Sequence, residues 1–244
     1  MKNLLLLSLF LPIMAFAQVG EHRNQFSIGF GGGYVMSNVG FDPRVSQSQH
    51  GGLIAGASFR YVCEKYFKTI CSVQAEVNYA SIGWKEKILT RTDQPVINSN
   101  GQAEKYSRTI NYIQIPVMAH LAWGKEQNGV NIFAQAGPQI GIYLGESTTK
   151  NYTQPNLAND GTGRSNTIVK QEEMPVENKF DYGITAGLGA EWYIPKAGRF
   201  ILEARYYYGL GNIYGNSKRD YFGKSNFGNI IIKATYLFDL IKSN

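Results

Sequence analysis

Eight stretches of this 244-residue chain alternate between apolar and small or polar side chains with a period of two. That period belongs to extended strands, whose successive side chains point to opposite faces. The expected strands are 24–35, 52–63, 71–84, 107–123, 130–144, 179–193, 200–211 and 227–238. Their connections constrain the fold further. Those at 64–70, 124–129 and 194–199 are short, and those at 36–51, 85–106, 145–178 and 212–226 are long and polar. Short and long alternate along the chain. An even number of strands of about ten residues, with short turns at one end and long loops at the other, is the pattern of an outer-membrane barrel. A soluble sandwich has no physical reason to sort its loops by end. The expected fold is all-β, an eight-stranded antiparallel transmembrane β-barrel occupying 18–244.

The two faces differ as such a barrel requires. One parity carries Ala55, Ala57, Val73, Val77, Ile113, Val117, Ala134, Ile140, Leu202, Ala204, Ile230 and Ile232. Aromatic residues stand at the ends of this stripe. Phe59, Tyr61, Trp123, Trp192, Phe200, Tyr236 and Phe238 lie toward the short turns, and Tyr34, Tyr79, Tyr182, Tyr206 and Tyr208 toward the long loops. Rings at both water boundaries form the girdles of a membrane-embedded band. A soluble lipocalin-like barrel would turn the apolar parity inward. Its outer face would then be the other parity, which is rich in glycine and too poor in charge for a solvated surface.

That other parity places Arg60, Glu76, Glu191, Glu203, Arg205 and Lys233 in the lumen, with Gln114, His120, Gln135, Gln139 and Thr185. Side chains fill an eight-stranded lumen, and a buried charge needs a partner, so the three acids and three bases are expected to form an ion-pair network. In DYGITAGLGAEWYI, Gly183, Gly187 and Gly189 resemble a damaged dinucleotide fingerprint, but that motif needs a helix after it. Here a turn and another alternating run follow, so these glycines are expected to make room for inward neighbours such as Arg205 and Glu203. YFGKSN ends like a phosphate-binding loop, yet Lys218 stands where that loop requires glycine. Pro116 and Pro138 interrupt strands four and five, each calling for a bulge or a local break in pairing.

Lys2, the apolar run Leu4 to Phe16 and the small-x-small triplet Ala15-Phe16-Ala17 read as a secretory signal peptide over 1–17. A membrane anchor would need nearer 20 apolar residues. Export implies an oxidising compartment, where the pair Cys63 and Cys71 is expected to form a hairpin disulfide, with two free buried thiols as the alternative. A metal site needs more ligands than this pair offers, and nothing points to a cofactor. The net charge of +6 is scattered, without a basic patch interleaved with aromatics, which argues against nucleic acid. Outer-membrane lipids and lipopolysaccharide are the expected partners.

YIQIPVMAHLAWG, FAQAGPQIGIYLG, YGITAGLGAEWYI and FILEARYYYGLGNIY, with their Tyr-x-x-Ile-Pro, Gly-Pro-x-x-Gly and Glu-x-Arg-Tyr motifs, resemble the PorT-like outer-membrane β-barrel family of the Bacteroidota, also labelled porin family. The resemblance runs from about residue 25 and is closest between 107 and 238. It implies an eight-stranded barrel in the outer membrane. One member of that family serves a protein-secretion apparatus, which implies an accessory role with a protein partner as one function for this chain. The chain departs from the pattern by continuing with DLIKSN after Phe238.

The residues themselves point to a non-catalytic structural or recognition role through the outer loops. The last loop combines Tyr214, Lys218, Arg219, Tyr221 and Lys224, a mixture common at binding surfaces. An outer-membrane enzyme would need a histidine beside a nucleophile or acid. Of the histidines, only His50 lies toward the long loops, near Ser46, Ser48 and Asp42. A solute channel would need the open lumen that eight strands do not leave.

Overall fold

The computed structural model describes residues 20–124, 129–195, 197–215 and 220–241, so the expected signal peptide lies outside the described residues. Its strands are β1 (Glu21–Asp42), the two-residue β2 (Gln47–Ser48), β3 (His50–Tyr66), β4 (Thr69–Glu86), β5 (Tyr106–Trp123), β6 (Gly129–Lys150), β7 (Phe180–Ile194), β8 (Gly198–Gly209) and β9 (Lys224–Ile241). The eight long strands form a ring in the order β4-β3-β1-β9-β8-β7-β6-β5, closed by pairing of β4 with β5. All pairings are antiparallel, and β2 adds a short rung to the outer end of β4. A closed ring leaves no strand edge in the hydrocarbon, where an unpaired backbone group costs several kcal/mol.

The alternation divides the wall into two surfaces. Val73, Val77, Val117, Ile140, Leu188, Leu202 and Ile232 are exposed on the outside, with Tyr34, Tyr79, Tyr182, Tyr206 and Tyr208 toward the long loops and Tyr61, Trp123, Phe200 and Phe238 toward the short turns. No helix among the described residues is long and apolar enough to cross a membrane. The crossing is made by strands.

β1 and β6 are longer than their alternation foretold, ending at Asp42 and Lys150 rather than 35 and 144. Each has 22 residues, against about 9–11 needed to cross the bilayer, so their outer parts stand above it. There the polarity reverses. The inward side of β1 carries Ser27, Gly29, Gly31 and Gly33 at membrane level, then Val35, Val39 and Phe41, while its outward side passes from Phe30 and Tyr34 to exposed Asn38, Gly40 and Asp42. Above the outer girdle the solvent is water, and the strand takes the apolar-in, polar-out pattern of a soluble protein. The membrane pattern stops at Val35, which is why the sequence reading ended the strand there.

Pro116 and Pro138 are each absorbed by a local break in pairing, without a bulge. Ala75↔Val117 and Asn78↔Gln114 flank Pro116 in one register, and Pro116↔Gln139 and Ala119↔Ala136 flank Pro138 in one register. A bulge occurs instead between Val62 and Glu64. It corrects the expected disulfide. Cys63 is the extra residue of the bulge, so Glu64 rather than Cys63 pairs with Cys71, and both thiols are free.

The glycines of β7 clear space for different neighbours. A Cβ on Gly187 would lie 2.5 Å from Cγ of Arg205 and 2.7 Å from the Ala204 carbonyl oxygen. On Gly183 it would meet the Tyr207 ring, and on Gly189 the Phe133 ring rather than Glu203. Replacing Gly187 with Leu must displace backbone as well as side chain, and overpacking of this kind costs about 1–3 kcal/mol or more. Gly187→Leu should lower both the refolding yield in detergent and the urea midpoint. A variant that refolds with an unchanged midpoint would refute the inward packing.

Candidate functional site: charged lumen and sealed outer cap

The six charged residues expected in the lumen are all buried and converge in two tiers. In the central tier, Glu76 accepts hydrogen bonds from Nη2 of Arg205 at 2.8 Å, Nζ of Lys233 at 2.8 Å, Nε2 of Gln74 at 2.7 Å and Nδ2 of Asn78 at 2.8 Å. Arg205 also reaches Oε1 of Glu203 at 2.8 Å, and Gln135 donates to the other oxygen of Glu203. In the tier toward the short turns, Arg60 pairs with Glu191 at 2.6 Å, and Arg199 stands 3.5 Å from the same carboxylate. Gln74 links the tiers, because its amide nitrogen serves Glu76 while its oxygen accepts from Nε and Nη2 of Arg60. His120 lies between Gln135 at 3.2 Å and Glu191 at 3.6 Å.

The strands bring these groups together because they occupy inward positions at matching heights. Glu203↔Lys233 and Gly187↔Arg205 are direct cross-strand pairs. At the height of the lower tier, toward the short turns, Val62, Ile70, Ala122, Phe133, Ile201 and Leu237 form an apolar cluster, with Ile201 opposite Glu191 and Leu237 opposite Arg199. Arg199 was missed because the sequence reading placed it in the connection 194–199. It shares the odd parity of Ile201, Glu203 and Arg205, and that parity is the signal that would have found it.

The outer third of the interior is different in kind. Phe41, Trp84, Tyr214 and Phe222 form an aromatic core, with ring centroids 5.3 Å apart for Phe41–Trp84, 5.0 Å for Phe41–Phe222 and 5.7 Å for Tyr214–Phe222. Two arginines tie the long loops over this core. Arg108, on β5, stands over the Trp84 ring, pairs with Glu146 at 3.0 Å and donates to the carbonyls of Gln171 and Met174. Arg164, within 151–179, holds Glu104 at 2.7 Å and Glu172 at 2.6 Å, with Glu86 at 3.8 Å and the Tyr152 ring beneath it. Nε2 of Gln171 donates to Glu86 at 2.8 Å. One guanidinium thus fastens both loops to the rim of β4.

The proposed outer-loop residues separate. Tyr214 is fully buried, with its hydroxyl 2.6 Å from Arg108, so it belongs to the core and presents no binding surface. Tyr221 is exposed, and Lys224 is exposed with its Nζ 6.0 Å from the Tyr208 ring centre. Lys218 and Arg219 lie outside the described residues. His50 is half-buried between the hydroxyls of Ser107 and Thr109, each at 3.2 Å. Those partners, rather than Ser46, Ser48 or Asp42, occupy both ring nitrogens. Burial, then the charge of Lys85, lowers its pKa and favours the neutral ring.

Removing one member of a buried ion pair leaves the rest uncompensated, at about 3–5 kcal/mol. Glu76→Gln should therefore reduce unfolding free energy by about that amount in urea titrations of the refolded barrel. A change within about 0.5 kcal/mol, the range of an ordinary surface substitution, would show the tiers to be uncoupled. In the cap, burial raises the Glu86 carboxyl to about 7, against the pull of Gln171 and Arg164 and with help from the Glu172 charge. The folded cap therefore favours protonated Glu86, and the associated stability is full below the unfolded carboxylate range and lost as pH rises through about 7. Hydrogen exchange of 164–174, corrected for intrinsic rates, should be faster at about pH 8 than at about pH 6, and Glu86→Gln should abolish the difference. Equal protection in the parent protein at both values would contradict the assignment.

One family of known proteins matches most of the chain. The family described as outer membrane protein beta-barrel domain matches residues 16–215. No curated protein matches the chain in sequence. Among solved structures, the chain is similar to the outer membrane protein OprG from Pseudomonas aeruginosa, at 12% identity and a TM-score of 0.48, covering 90% of this chain and 98% of that one. It is also similar to Neisserial surface protein A, at 11% identity and 0.42, covering 87% and 97%. The Ail protein of Yersinia pestis, solved in complex with the heparin analogue sucrose octasulfate, gives 13% identity and 0.37, covering 88% and 99%. With a ring of membrane-length strands and a family match over most of its length, the chain belongs to the outer membrane protein beta-barrel domain family and is an integral protein of the outer membrane.

Proposed function

We propose that this barrel is non-catalytic and acts at its outer face, by recognition of lipopolysaccharide and of surface ligands through its loops. The observation that carries this reading is the filling of the interior. Two ionic tiers, an apolar cluster packed around the lower tier and an aromatic core above fill the interior. A substrate has no evident way to the lumen glutamates, so general acid–base chemistry there lacks access. What the protein offers to its surroundings is the rim above the outer tyrosines, where Lys85, Lys87, Lys105, Lys150, Lys179 and Lys224 are exposed. Cations at that height meet the phosphates of the outer leaflet.

The accessory role in secretion rests on the PorT-like motifs and requires a stable protein companion. A tagged copy purified from native outer membranes in mild detergent separates the two readings. Lipopolysaccharide without a stoichiometric protein is the expected result, and a stoichiometric protein companion would overturn it in favour of secretion or assembly. Planar-bilayer recording of the refolded barrel should give no steady conductance step. A reproducible one would mean that the lumen opens.

A further inference from the structure

The outward face of β6 to β9 carries a groove of about 550 Å³ lined by Ala134, Ala186, Leu188, Ala204, Tyr206 and Ile230. The register explains its shape. Leu188 pairs with both Ala134 and Ala204, Ala186 with Tyr206, and Tyr206 with Ile230. Three alanines form the floor, and Leu188, Tyr206 and Ile230 stand up around it, 67%, 51% and 38% exposed. The groove faces hydrocarbon and its accessible surface is almost wholly apolar. Left empty, its walls would lose their dispersion contacts, and water has no polar partners there. Its complement is a hydrocarbon chain.

The same face supplies a second, independent feature. Above the groove, toward the long loops, come Tyr206 and Tyr208 and then Lys224, whose Nζ lies 6.0 Å from the Tyr208 ring centre. Tyr206 and Tyr208 stand in the outer girdle, and Tyr206 pairs with Ile230, so the groove lies just beneath the water boundary. A chain seated in it therefore brings its headgroup to the girdle, where Nζ of Lys224 stands beside the Tyr208 ring. Asp42, opposite Lys224 on β1, lies on the side away from the groove.

We propose that this groove is a specific lipid site, which takes an acyl chain of a phosphate-bearing outer-leaflet lipid and sets the phosphate against Lys224. The proposal rests on the lipopolysaccharide reading above and locates it on one face of the barrel. Tyr206 and Tyr208 line the path between chain and phosphate, where amphipathic rings are at home.

The test uses the full barrel, refolded in mild detergent and titrated with diphosphoryl lipid A and with its dephosphorylated form, with retained lipid counted by native mass spectrometry. Ala204→Phe and Ala186→Phe fill the groove from outward-facing positions, and a heat-modifiable gel shift verifies that each variant folds. Retention of lipid A should fall about tenfold or more in both, a loss of about 1.4 kcal/mol. Lys224→Gln should remove most of the preference for the phosphorylated form while leaving the dephosphorylated form bound. Parent-like retention by both groove-filled variants would overturn the site while leaving recognition elsewhere on the rim intact. Parent protein that does not distinguish the two lipids would refute the lipopolysaccharide reading itself. A dimer of the parent that Ala204→Phe dissociates would assign the groove to a second copy of the chain and overturn the proposal.

Discussion

In hydrocarbon every backbone N–H and C=O must find its partner inside the protein, and here the pairing of β1 with β9 helps to satisfy that demand by joining the first strand to the last. Eight strands can close only into a narrow ring, and the width of that ring governs what lies within it. Side chains must fill the space, and the inward glycines of β7 show how tightly: Gly187 gives its volume to Arg205, Gly183 to Tyr207 and Gly189 to Phe133. The charges that do fit must neutralise one another. Glu76, flanked by Arg205 and Lys233, is where strands from opposite sides of the ring are tied across the lumen. Such a network binds the wall together as much as it fills it. Replacing the whole set with well-packed apolar residues would be tolerated far better than removing one member.

Above the outer tyrosines the governing solvent changes from lipid to water, and the barrel changes its logic with it. The strands continue, but their apolar side chains turn inward to Trp84, Phe41, Tyr214 and Phe222, and the polar residues turn out. The protein therefore contains a soluble-type core resting on a membrane-type wall. Its lid is held by few, concentrated interactions. Arg108 and Arg164 gather carboxylates and carbonyls from β4, β6 and the residues 87–105 and 151–179. Burial is what chiefly makes protonation of Glu86 favourable, with the neighbouring Glu172 charge adding to it, and so makes the cap sensitive to pH.

The barrel was legible in the sequence because its two faces meet opposite environments over every strand, so alternation and loop sorting carried strand number, direction and height. The six lumen charges were legible for the same reason, since parity alone sends Arg60, Glu76, Glu191, Glu203, Arg205 and Lys233 inward. Arg199 escaped because it lies at a strand end, where turn and strand look alike. Cys63 and Cys71 were misjudged because parity assumes an unbroken register, and the bulge at Cys63 breaks it. Tyr214 reads as a surface residue because a tyrosine beside lysines and glycines in a long loop gives no sign of being folded under.

By itself the sequence determined the closed antiparallel sheet, its orientation between two girdles and the charge of its interior, because each follows from a local period of two set against a slab of lipid. The tertiary structure decided which carboxylate meets which cation, that β1 and β6 rise beyond the membrane, and that the long loops fold into a cap secured by Arg108 and Arg164. Those outcomes depend on contacts between segments far apart in the chain, Arg164 with Glu86 and Glu104 or Arg108 with Gln171 and Tyr214. No local pattern encodes such contacts, because each partner is an ordinary polar residue until the ring brings it within reach of the other.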